Sequence, residues 1–238
     1  MGKVKIRVPF FETSAKCYIY GDELLKMAKA ADAAAVKYDI DVLYIIPTVE
    51  IRRVREHCPN LIILAPYMDT HGLGRGMTSI LPEALKAAGA QGVVINHCER
   101  PMTLTDIKKT IDRATGLDMF SFVCADTIDE ARAIAQLGPD IINPEPTELI
   151  GSGQASDMSY VMEVIKAVKE INPDILVEQA AGITTGQQVY DFIMAGSEAA
   201  GSASGILNSP NPYALLDEMV CYVRKAKDEL IRKGRLKA

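Results

Sequence analysis

The chain has 238 residues, 48% hydrophobic and 24% charged, enough to bury a sizeable core as one α/β barrel or as two smaller domains. A formal net charge of -5 offers no basic field to nucleic acid or an anionic membrane, and no apolar run approaches the ~20 residues that span a bilayer. Five cysteines without a CxxC pair, in a chain with no signal-like amino terminus, predict reduced thiols and a soluble cytoplasmic protein.

In chain order, short apolar runs alternate with stretches of helical period. The first strand is Arg7–Ser14, followed by Lys16 and a helix over Gly21–Val36, whose apolar stripe is Leu24, Leu25, Met27, Ala28 and Ala31. Asp41–Pro47 reads as the second strand and Val49–His57 as a short, charged helix closed by Pro59. Asn60–Pro66 is the third strand. It empties into the loop MDTHGLGRGMTS, where glycines at 72, 74 and 76 disfavour regular structure. The next helix is Leu81–Ala88, with Pro82 in its first turn, where a missing amide is harmless.

The segment GVVINHCERP, residues 92–101, reads as a strand buried on both faces that stops abruptly at His97, Cys98, Glu99 and Arg100. A helix over Leu104–Ala114, a strand over Met119–Ala125 and a helix over Ile128–Leu137 follow. The sixth strand, Asp140–Pro144, is built like the fourth: an apolar run ends at Glu145 and a glycine-containing loop. The chain then continues with a helix at Asp157–Ile171, a strand at Ile175–Gln179 and a helix at Thr185–Ala195 closed by Gly196. Ala199–Ser204 is a weak last strand of small side chains, and Pro212–Arg232 the terminal helix.

Eight strand-then-helix units without a linker predict a single (β/α)8 barrel domain over residues 1–238. The rival, an open doubly wound sheet holding a dinucleotide, needs a glycine-rich turn after the first strand, and TSAKCYIYG is not such a turn. In a barrel, reactive groups collect where the strands end. Those ends offer Ser14 and Lys16, then His97 and Glu99, then Glu145, and finally the small-residue turns AAGITTG and ASG, whose amides suit a phosphate. A cation, an imidazole and a carboxylate at one mouth are what enolising a phosphorylated hydroxy-ketone requires.

The segments NHCER, NPEPTELIGSG, AAGITTG and SASG resemble those of the triosephosphate isomerase family, in its shorter archaeal-type form, from the second strand nearly to the end of the chain. That enzyme is a familiar example of tuned acidities, and the roles that follow are what the resemblance implies. Glu145 is the base, His97 the neutral electrophile and Lys16 the cation that stabilises an enediolate. Residues 146–153 form a lid that brings the Gly151 amide to the phosphate. Thr184, Ala203 and Ser204 add phosphate contacts, Ser14 is a further substrate-binding residue, and Glu99 supports the reacting groups. The resemblance further implies a small phosphorylated sugar as substrate, no metal or organic cofactor, and a homodimer or homotetramer formed through the third loop.

Several positions depart from that family. Its pattern of Asn, one residue, then Lys is here Ser14, Ala15, Lys16, and placing Lys16 on the catalytic lysine needs a two-residue deletion; without it Ser14 takes that place. Cys98 stands where the family usually has Ser, and Met77 and Thr78 replace the Thr-Gly pair of the third loop. Two further readings therefore stand beside the triose phosphate isomerase: an isomerase of a four-carbon ketose phosphate such as erythrulose phosphate, and a non-catalytic sugar-phosphate-binding barrel. A metal site is not expected, because His57 and His71 lack ligand spacing.

Overall fold

Eight parallel strands close on themselves in sequence order, β1 pairing with both β2 and β8, in a computed structural model that describes residue 3 and residues 5–237. The strands are β1 (Phe10–Ser14), β2 (Val42–Ile45), β3 (Ile62–Ala65), β4 (Gly92–Ile95), β5 (Phe120–Ala125), β6 (Ile141–Pro144), β7 (Leu176–Gln179) and β8 (Ala199–Gly201). Around them run α1 (Gly21–Tyr38), α2 (Ile51–His57), α3 (Pro82–Ala88), α4 (Leu104–Thr115), α5 (Ile128–Ala135), α6 (Met158–Ile171), α7 (Gly186–Ala195), α8 (Ser204–Leu207) and α9 (Pro212–Arg232). The barrel expected from the alternation of elements is the barrel observed.

Two layers of apolar packing follow from the two-residue period of the strands. Inward side chains, among them Phe10, Leu43, Leu64, Phe122 and Ile141, fill the barrel. Outward ones, including Phe11, Ile63 and Val123, pack against the helices, where Leu24, Ile111, Val164 and Val220 close the outer core. Helix starts are set locally: Thr103 accepts from the amide of Asp106 before α4, and Thr185 with Gln188 forms a reciprocal capping box at α7. Among the described residues no helix is long and apolar enough to cross a membrane.

Several boundaries differ from the sequence reading. β1 begins at Phe10, because Pro9 offers no amide to a neighbouring strand. The charged segment after β2 opens with a 3-10 turn at Thr48–Glu50 before α2. β8 stops at Gly201, and Ser204 starts the short helix α8 instead of ending a strand. The loop between β3 and α3 is pinched at its base, where Asp69 accepts from the Ile80 amide at 2.7 Å and donates its own amide to the Ile80 carbonyl at 3.0 Å.

The turn after β4 carries His97 and is fixed by Asn96. This residue is buried and adopts the left-handed backbone conformation, with φ 59°. Its Nδ2 donates to the Cys124 carbonyl at 3.1 Å and to Glu130 at 2.9 Å, while its Oδ1 accepts from the Met102 amide at 2.8 Å. Asparagine is among the few residues that tolerate such a backbone, and here its side chain also staples the loop to β5 and α5. Asn96→Ala is expected to lower stability by about 2–4 kcal/mol. Urea denaturation checks this: the midpoint falls while the slope stays unchanged.

Candidate active site

At the carboxyl ends of the strands lies a cavity of about 650 Å³. Ser14, Lys16, His97, Glu145, Ala203 and Ser204 all line it, as does Gly151 from the expected lid. The topology accounts for this: β1, β4, β6 and β8 each end on the same rim, so residues far apart in the chain face one space.

Lys16 follows β1 in a left-handed backbone conformation, φ 40°, which is strained for a residue with a side chain. The turn is held by its amide, which donates to the Ser14 hydroxyl at 3.2 Å. Its ammonium lies 3.2 Å from His97 Nε2 and donates to Glu99 Oε1 at 3.1 Å. Burial works against the charge, yet the hydrogen bond and charge of Glu99, with that of Glu145, hold the lysine above its ordinary pKa. Lys16 is therefore a fixed cation. Glu99, largely exposed, orients it from the rim of the same cavity.

His97 accepts the Glu99 amide at Nδ1, 3.2 Å away. A neutral ring engaged in this way carries its proton on Nε2, by the hydrogen-bond pattern. Burial and the neighbouring Lys16 both push the imidazole below its usual pKa, so the neutral form is favoured. The structure places the start of α4 seven residues on, at Leu104, and leaves the work to burial and Lys16. Nε2–H and the lysine ammonium are both donors, aimed at the same space; an oxyanion between them would satisfy both.

Glu145 follows β6, its amide bonded to the Ala125 carbonyl at 2.7 Å. Its Oε2 lies 3.9 Å from His97 Nε2 and accepts from the side-chain Nδ2 of Asn143 at 3.5 Å. Burial drives the carboxyl up to about 7, offset in part by Lys16 and reinforced by Glu99. A base poised near neutral pH beside a neutral donor and a fixed cation can move a proton between adjacent carbons.

The lid segment opens with a 3-10 turn at Thr147–Leu149, anchored where the Thr147 amide donates to Asp126 at 2.7 Å. Gly151 and Gly153, with φ 73° and 74°, carry its bends. Its far end presses on the turn after β7: a Cβ on Gly182 would lie 1.9 Å from the Gln154 carbonyl oxygen. Thr184 departs from expectation. Its amide donates to Gln188 Oε1 at 2.8 Å, satisfied within the cap of α7, and the residues that line the cavity from this turn are Ala180, Gly182 and Ile183. Glu12, Cys124 and Asn143 line the cavity from inside the barrel and were not singled out by the sequence reading. For Glu12 and Asn143 there was a signal: each sits two positions from an inward apolar residue of its own strand, Phe10 and Ile141. Among the described residues no three metal-ligating side chains converge.

Comparison with known proteins agrees with this arrangement. The family model for triosephosphate isomerase matches residues 9–191. The chain is 35% identical over 223 residues to a triosephosphate isomerase of Methanobacterium bryantii, covering 91% of this chain and 98% of the relative. It is 33% identical over 203 residues to that of Methanothermus fervidus, covering 84% and 91% respectively. The crystal structure of triosephosphate isomerase from Bartonella henselae has the same fold, with a TM-score of 0.72 at 16% identity over 92% of this chain and 100% of that one.

Because burial raises the Glu145 carboxyl to about 7 from an ordinary value of 4.5, the unfolded chain ionises first. The native protein therefore loses stability as pH rises through that window. Glu145→Gln is expected to be more stable than the native chain at about pH 8, with the difference vanishing near about pH 4. Denaturation series at several pH values measure it.

Proposed function

The chain belongs to the triosephosphate isomerase family, and on that footing we propose that it interconverts dihydroxyacetone phosphate and glyceraldehyde 3-phosphate through an enediolate. One observation carries the reading: Lys16 Nζ and His97 Nε2 stand 3.2 Å apart, with Glu145 Oε2 3.9 Å from the imidazole. Three strand ends thus supply a cation, a neutral donor and a base around one space.

The steps follow from those positions. Glu145 takes a proton from the hydroxyl-bearing carbon next to the carbonyl, and the electron pair moves onto the carbonyl oxygen. His97 Nε2–H donates to that oxygen, and Lys16 offsets the negative charge as it develops. Protons then exchange between the two oxygens through the imidazole, and Glu145 returns its proton to the neighbouring carbon, which completes the isomerisation. Gly151 from the lid, with Ala203 and Ser204 after β8, would hold the phosphate through backbone amides, while closure of residues 146–153 excludes water that would otherwise promote loss of phosphate. No step passes through a metal or an organic cofactor.

The non-catalytic alternative treats Lys16 as an ordinary surface residue; a side chain only 20% exposed and held against His97 favours catalysis instead. The relatives' names favour the triose over a four-carbon ketose phosphate. The same reading places the protein in the cytosol as a homodimer or homotetramer. Support comes from the loop between β3 and α3, where Leu73 and Met77 stand fully in solvent.

A coupled assay on dihydroxyacetone phosphate tests the proposal. Turnover is expected in the native protein, and Lys16→Ala and Glu145→Gln should each lower kcat by about 100-fold or more. Absence of turnover on either triose phosphate would sink the reading. The acid limb of kcat/KM should fall at a pKa of about 7, that of the Glu145 carboxyl in the free enzyme.

A further inference from the structure

Beneath the reacting groups the barrel holds two acids that the chemistry above does not use. Glu12 faces inward from β1 and Glu178 from β7, with 4% and 0% of their surface exposed. Between those strands runs β8, and at this level it carries Gly201. A Cβ built there would meet Glu12 Oε2 and Glu178 Oε1 at 2.4 Å each, so the two carboxyl groups share the space left by the missing side chain. Neither Glu12 Oε1 nor either oxygen of Glu178 has a hydrogen-bond donor.

The surroundings supply no countercharge at this depth. From β6 come Glu145, a further negative group, and Asn143, whose Oδ1 is itself without a donor. From β5 comes Cys124 and from β2 Leu43, both inside the barrel. β3 and β4 present Leu64 and Val94. Above the floor, His97 is neutral and Lys16 is engaged by Glu99. Two bare carboxylates in such a place would repel each other and lose all hydration. A proton removes the conflict, because a carboxylic acid O–H can donate to the other acid's oxygen.

We propose that Glu12 and Glu178 sit in the barrel floor as a protonated, mutually hydrogen-bonded carboxyl pair. They act as positioning residues that keep negative charge out of the floor while Glu145 and the enediolate carry theirs above it. The kinetic consequence rests on the isomerase reading; the protonation does not. Isomerisation adds negative charge to the substrate, so a floor that has released its proton to solvent raises the barrier to that step. Burial, then the charge of Glu145, moves the Glu12 carboxyl up to about 8 against the opposing pull of Lys16 above and of the hydrogen bond from Glu178, and burial with Glu12 holds Glu178 well above the ordinary carboxylate range. Lys16, Cys98, Cys124 and Tyr44 start from ordinary values above that of the Glu12 carboxyl and are all raised further.

The test is the pH profile of kcat/KM for dihydroxyacetone phosphate, from about pH 5 to about pH 10, for the native enzyme, E12Q, E178Q and the double variant. The native profile should fall about tenfold per pH unit above its alkaline pKa. Each single variant should displace that limb, and the double variant should lose it while keeping the acid limb. A purely structural pair would scale activity at every pH and leave the limb in place, and that result in the double variant overturns the proposal. Infrared difference spectra on glutamate-labelled E145Q protein read protonation without turnover, and the substitution removes the other buried acid that carries a proton near pH 7. A carboxylic acid carbonyl band that remains at neutral pH in E145Q and disappears on alkaline titration supports the pair, and its absence refutes it. If the native enzyme shows no turnover at any pH, the isomerase reading fails while the infrared result still decides the state of the pair.

Discussion

Removal of water from the Glu145 carboxylate, beside the fixed positive charge of Lys16, is the interaction on which the rest of the molecule depends. In water the carboxyl would be a weak base and the lysine a mobile surface group. Burial moves the carboxyl to about 7, and the left-handed turn at φ 40° sets the ammonium 3.2 Å from the imidazole. Neither effect can be built from one segment. It takes a closed barrel to bring the ends of β1, β4 and β6 to one rim and to keep the interior beneath them dry.

The barrel converts sequence separation into proximity at low cost in local irregularity. Among the described residues, two of the four non-glycine left-handed positions lie beside the reacting groups, and the other two, Asp39 and Asp118, follow α1 and α4. Lys16 and Asn96 take left-handed conformations at two strand ends, and each is held by hydrogen bonds from its own turn. Elsewhere, ordinary caps and apolar stripes suffice. Charge is arranged in the same economical way: Glu99 meets Lys16 from the exposed rim, so the lysine keeps its proton.

Much of this was legible in the sequence because it rests on local pattern. Alternating apolar runs and helical stripes gave the eight units, and the abrupt ends of β4 and β6 pointed to His97 and Glu145. The assignment of Lys16 rested on an alignment with a gap, and the structure brings that side chain into the site. What stayed hidden depends on partners distant in the chain. Thr184 looked available as a phosphate donor until α7 folded its Gln188 back onto the amide. The AAG of β8 is a poor strand by propensity, and nothing local explained why small residues stand there. Its small residues make sense once Glu12 and Glu178 are seen on either side. Neither acid gives notice in its own segment that it will find the other.

Gly201 ties three positions on three consecutive strands of the closed sheet into one unit of heredity. A lineage that acquires a side chain there must first shed or shorten at least one of the flanking acids. Conversely, a lineage that replaces both acids with smaller residues opens a void that only a larger residue at 201 can fill. Substitutions at these sites are therefore non-additive: the order in which they arise decides which are tolerated, and a barrel with this trio cannot drift to one without it by single neutral steps.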